Sequence, residues 1–126
     1  MPIRVSQERF ARLVDEAVAS LPDSFKPYME NVSVEILPRP TRRMRLDARL
    51  GPDDDLLGLY QGVPLTEKSV STPYDWPERI LIFKGNIERI CDTEREVIRQ
   101  VRQTVLHEIG HHFGLSEDDL DELGYA

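Results

Sequence analysis

Cysteine is nearly absent from this chain: Cys91 stands alone, so no internal disulfide can form. Nothing approaches the ~20-residue apolar run of a membrane-spanning helix, and the opening MPIRVSQERF leads into an amphipathic pattern instead of an apolar signal segment. These absences predict a chain that does not enter a membrane and works in a reducing, cytoplasmic setting. Positive charge is also in deficit. Sixteen Lys and Arg face 23 Asp and Glu, for a net charge of −7. The long-range field repels polyanions, which argues against a general nucleic-acid or anionic-membrane binder. Internal repeats and low-complexity segments are missing too. What remains is 126 residues, read as one domain spanning 1–126 that can bury roughly two thirds of its unfolded surface in a single core. No metal is needed merely to fold it, and Cys91 reads as a small buried residue, not a nucleophile.

Histidine is scarce as well, yet all three copies fall within six residues, in the run HEIGHHFG at 107–114. On a helix at about 100° per residue, His107 and His111 lie one turn apart on one face, where two imidazoles can grip one ion. Glu108 is beside them. Two neutral nitrogen ligands and an adjacent carboxylate to take a proton from an activated water are what a zinc hydrolase needs. The simpler alternative is three polar side chains on a solvated helix. Helical projection of 94–113 argues against it: Ile98, Val101, Val105 and Ile109 form an apolar stripe, His107 and His111 lie roughly opposite, and Glu108 falls between the two faces. The pair therefore faces a cleft. His112 projects into or near the apolar stripe and reads as a packed structural histidine.

The same periodicity organises the rest. Residues 6–21 read as a core helix capped by Ser6, with Phe10, Leu13, Val14, Ala17, Val18 and Leu21 at helical spacing. Leu21-Pro22-Asp23 interrupts it, 23–30 suits a short helix despite Pro27, and Val32–Leu37 alternates like a half-buried strand. Six of the nine prolines fall between 38 and 77, so this stretch is expected to be loop-rich. It holds a basic cluster (Arg39, Arg42, Arg43, Arg45, Arg49) and an acidic one (Asp53, Asp54, Asp55). Both read first as solvated surface, the alternative being that the arginines select an acidic peptide or partner. Residues 56–60 suit a strand or hairpin arm, and Arg79–Lys84 is the best second strand; with 32–37 they make a small mixed sheet. Thr93-x-x-Glu96 fits a capping box that opens the motif helix, which the pattern carries to Phe113 before Gly114 stops it. Gly110, costly in mid-helix by about 1 kcal/mol, implies close packing. Ser116 can then cap a short terminal helix through Leu120 and Leu123.

A catalytic zinc takes three protein ligands and keeps one position open. The fifteen residues after His111 are too few for a glutamate donated by a distant helix, so the acidic tail SEDDLDELGYA is the natural source. In H-E-x-x-H-x-x-G-x-x-[H/D] the third ligand falls ten residues after the first histidine, here at Glu117, with Asp118 as the alternative.

With these residues in place, the chain resembles the small bacterial zincin-like metallopeptidase family, single-domain proteins with a minimal, metzincin-like motif. The resemblance runs over almost the whole chain: the opening helix ending in Leu21-Pro22, LLGLYQGVPLTE at 56–67, PERILIF at 77–83, HEIGHHFGLS, and DELGYA at 121–126. It implies an α+β zincin-like fold with the motif helix and the N-terminal helix packed on a small mixed sheet, His107 and His111 as zinc ligands, and Glu108 as catalytic base. The family more often has Asp where this chain has Glu117, and no methionine turn follows the motif. No established physiological substrate comes with the resemblance.

The expected activity is zinc-dependent hydrolysis of a peptide or protein substrate, with oligomeric state unread. Tyr60, Tyr74 or Tyr125 could add a donor for the developing oxyanion, although each reads more simply as a packing aromatic. The GLYQG segment could offer an edge strand to an extended peptide. Two other functions fit the same residues: a noncatalytic zinc-binding or interaction module with a vestigial site, and a regulatory protease dedicated to one intracellular protein.

Overall fold

The computed structural model describes residues 2–47, 55–62, 78–116 and 118. Helix α1 (Gln7–Ala19) begins where Ser6 Oγ accepts the Arg9 N–H at 3.0 Å, and it buries Phe10, Leu13, Val14 and Ala17. A 3-10 turn over Asp23–Phe25 leads into α2 (Lys26–Met29), which carries Pro27 in its first turn, where a missing N–H costs nothing. Strand β1 (Val32–Leu37) follows. Within the proline-rich stretch lies a helix that periodicity did not disclose, α3 (Arg42–Asp47), so three of the clustered arginines stand on one short helix. Strands β2 (Gly58–Gln61) and β3 (Glu78–Phe83) complete the sheet among the described residues. β3 ends one residue earlier than the sequence suggested, because Lys84 opens a further unanticipated helix, α4 (Lys84–Arg89). Helix α5 (Glu94–His112) carries the motif.

The sheet is mixed, in the order β1-β3-β2, with β1 parallel and β2 antiparallel to β3. Side chains alternate across β3: Ile80 and Ile82 join the core shared with α1 and α5, while Leu81 and Phe83 are buried on the other side. The central strand thus ends in an unbroken apolar run, Ile80 to Phe83, because both its faces are covered there. Helices α1 and α5 pack against each other, closing a core that includes Phe10, Phe25, Val101, Val105 and Ile109. Arg9 ties the two helices at their polar rim through a two-pronged pair with Glu94, at 2.6 and 3.0 Å. Cys91 is buried, and burial pushes its thiol pKa up, as suits a packing residue. No helix among the described residues is long and apolar enough to cross a membrane.

Both ends of α5 follow the sequence signals. Thr93 Oγ1 accepts the Glu96 N–H at 3.1 Å, and Glu96 reaches back to the Asp92 N–H at 2.8 Å, one residue before the partner a standard capping box would choose. At the other end Gly114 adopts φ +68°, and two bonds close the helix: Leu115 N–H to the Gly110 carbonyl at 2.8 Å, and Gly114 N–H to the His111 carbonyl at 3.3 Å. This is the Schellman arrangement, which needs a left-handed residue where glycine stands. It turns the chain back immediately after the motif. Glu117, the short helix expected through Leu120 and Leu123, Tyr74 and Tyr125 lie outside the described residues.

Candidate metal centre

Helix α5 divides much as the projection required, although Ile98, placed in the stripe, is only partly buried against the core. Val97, Val101, Val105, Leu106 and Ile109 are buried with Gly110 against the core, and His107 and His111 are exposed. The two imidazoles converge: their Nε2 atoms stand 3.0 Å apart, with ring planes inclined by 66°. Two nitrogens each about 2.0–2.1 Å from one tetrahedral ion would stand roughly 3.3 Å apart, so the pair is within a few tenths of an ångström of ligand geometry. The same distance also suits an N–H···N bond between neutral rings. Either way the two Nε2 atoms converge on a common place, which i, i+4 spacing permits and this helix realises. The residues present fit a divalent ion as far as two ligands go. Among the described residues, Asp118 included, no third His, Cys, Asp or Glu completes a metal-holding group.

Glu108 is held differently. Its carboxylate is mostly buried, and burial pushes its pKa above the ordinary glutamate value, opposed by the Tyr60 N–H and by the charge of His111. The Tyr60 main-chain N–H donates to Glu108 Oε2 at 3.3 Å, a contact across 48 positions of sequence. It exists because β2 is an edge strand among the described residues. The Phe83 N–H bonds the Leu57 carbonyl at 3.0 Å, so in this antiparallel pair Leu57, Leu59 and Gln61 turn their main-chain groups toward β3 while Gly58 and Tyr60 turn theirs outward. Gly58 lets the strand come this close to α5. A Cβ there would collide with Thr104 Cγ2 and sit 2.9 Å from the Leu81 carbonyl oxygen.

Between β2 and α5 lies a pocket of about 330 Å³, walled by Leu57 and Gly58 at the entry to the strand and by Gln103, Thr104, His107 and Glu108 on the helix. One histidine of the pair, His107, and the carboxylate-bearing Glu108 both line it. Of the tyrosines considered as oxyanion donors, Tyr60 is committed elsewhere. Its hydroxyl donates to Glu78 Oε2 at 3.2 Å, its ring stacks on His112, and burial followed by the Glu78 charge raises its pKa. What Tyr60 offers the site is its main-chain N–H. No pattern in the sequence carried that information, since any residue but proline has the same donor.

Comparison with known proteins bears on the family and the fold. A model of zincin-like metallopeptidases matches residues 29–125. The chain belongs to that family. Zincin-like proteins typically hold zinc, which makes it the metal to consider at His107 and His111. Among solved structures, the fold is similar to a conserved hypothetical protein from Thermo thermophilus, at 19% identity and a TM-score of 0.57, over 86% of this chain and 94% of that one. That likeness supports the α+β architecture alone. No curated protein matches.

Proposed function

We propose that this protein is a zinc-dependent peptidase in which His107, His111 and Glu117 hold the metal and Glu108 is the general base. The observation that carries the reading is the convergence of the two imidazole nitrogens at 3.0 Å beside a buried carboxylate. Bound zinc would supply Lewis-acid activation of water and charge stabilisation at the scissile carbonyl. The chain's own residues do the rest. His107 and His111 present neutral nitrogens to one point. Glu108, with a pKa raised by its surroundings, is a better proton acceptor than an exposed glutamate and can pass that proton on to the leaving nitrogen. The Tyr60 N–H orients the carboxylate. An extended peptide lying in the pocket would run beside the outward main-chain groups of Gly58, where strand addition would align its backbone.

The test joins metal analysis of freshly purified protein to hydrolysis of a diverse peptide library. One zinc per chain and measurable cleavage are expected. Glu108→Gln should keep the zinc and reduce turnover by about 10²–10⁴, the usual worth of a general base. Full turnover in that variant would remove Glu108 from its role. One zinc per chain without cleavage of any peptide or protein offered would favour a noncatalytic zinc module instead.

A further inference from the structure

Behind the histidine pair is a second cluster of polar side chains that the proposed chemistry does not use. His112 stacks on the Tyr60 ring with centroids 3.9 Å apart and planes within 13°. The Tyr60 hydroxyl donates to Glu78 Oε2 at 3.2 Å, and Glu78 Oε1 lies 3.9 Å from His112 Nε2. The three side chains close a triangle joining β2, the start of β3 and the last turn of α5. It is an interior feature: the side chains of His112 and Glu78 are 3% and 8% exposed. Gly62 lies against it, and a Cβ there would stand 2.9 Å from Glu78 Cγ and 3.3 Å from Tyr60 Cε1.

We infer that His112 and Glu78 are positioning residues, holding Tyr60 so that its main-chain N–H keeps the Glu108 carboxylate in place. Strand β2 has only four residues and, among the described residues, pairs with β3 on one side alone, so its ladder by itself is an edge prone to local opening. The bond it must maintain is 3.3 Å long, and a modest outward drift of the strand would lose it. Fixing the Tyr60 ring by a stack on one side and a hydroxyl bond at its tip fixes the Cα, and with it the direction of the N–H. A buried imidazole and carboxylate cost more to desolvate than apolar side chains would, and packing alone does not call for them. Because His112 is attached one residue after His111, the clamp also ties the edge strand to the turn of helix that carries the candidate ligands.

The catalytic consequence rests on the peptidase reading, whereas the clamp can be tested without any reaction. The experiment is residue-resolved amide hydrogen exchange on the whole protein, with metal content and, where cleavage is found, kcat and KM measured on the same samples. His112→Ala should speed exchange of the Tyr60 amide about tenfold or more beyond any rise it shares with amides in the middle of β3 and α5. His112→Phe, which keeps an aromatic face against Tyr60, should restore most of the protection. Tyr60→Phe, the mildest change, should fall between because only the bond to Glu78 is removed. For cleavage, kcat should drop about 10–100-fold in His112→Ala with KM and zinc stoichiometry little changed. Unchanged Tyr60 exchange in both His112→Ala and Tyr60→Phe would overturn the clamp, and so would an equal rise throughout β3 and α5. Local loss of Tyr60 protection in a protein that cleaves nothing would uphold the clamp and count against the peptidase reading instead.

Discussion

Three histidines within six residues of one helix meet opposite fates. His107 and His111 lie in the open with their Nε2 atoms 3.0 Å apart, while His112, one residue further on, is buried against Tyr60 and Glu78. A single step along a helix is about 100° of rotation, enough to carry a side chain from the cleft to the interior. Exposure leaves imidazole lone pairs available to an ion. Burial converts the same ring into a flat packing surface. Residue type therefore says little about role until the face of the helix is known, and the apolar stripe is what reveals the face.

The sharpest way to break this comparison is to truncate each histidine in turn. His107→Ala or His111→Ala should weaken zinc binding by about a hundredfold or more in a competitive titration, since each removes one of very few ligands. His112→Ala should keep the zinc and cost about 2 kcal/mol of stability in a thermal melt, through lost burial and stacking. Equal metal loss from all three would mean that the two faces are not functionally distinct. The third ligand extends the comparison beyond the helix. Glu117→Ala should weaken zinc by about tenfold or more, Asp118→Ala far less, and Glu117→Asp should recover much of the loss. The reverse ranking would give the role to Asp118.

A smaller effect is expected where the helix ends. Gly114 holds φ +68°, so Gly114→Ala should cost about 1 kcal/mol in denaturant unfolding even though nothing stands within 4 Å of the added methyl. No loss would show that the reversal after the motif tolerates other residues. The smallest effect concerns Glu108 in metal-free protein. Its folded pKa is raised by burial, so below the unfolded value both states carry the proton and no penalty exists. As pH rises through the folded value, the buried group must charge and stability falls. Metal-free Glu108→Gln should therefore melt above the parent at pH 7, with the gap closing below about pH 4. A gap that widens on acidification would reverse the assigned direction.

Much of this is legible in the sequence. Ser6, the stripe from Phe10 to Ala17, the Thr93 cap, the α5 stripe and Gly114 are local signals, and each element begins and ends within a residue or two of where they point. The inward histidine is legible for the same reason. Helices α3 and α4 are not, because six residues are less than two turns and too few to display a 3.6-residue period. The strand expected at 56–60 exists, but its shift to Gly58–Gln61 and its place at the sheet edge depend on pairing with β3.

Sequence alone determined the motif helix, its two faces, the spacing that sets His107 above His111, and the family, because all of these are written in periods of a few residues along one element. Only the tertiary structure decided that β2 borders the helix, that the Tyr60 N–H meets Glu108, and that Tyr60 gives its hydroxyl to Glu78 instead of to the cleft. Those contacts join residues 48 and 18 positions apart. Their partners include main-chain donors that every non-proline residue carries, so nothing in the order of side chains could have marked them in advance.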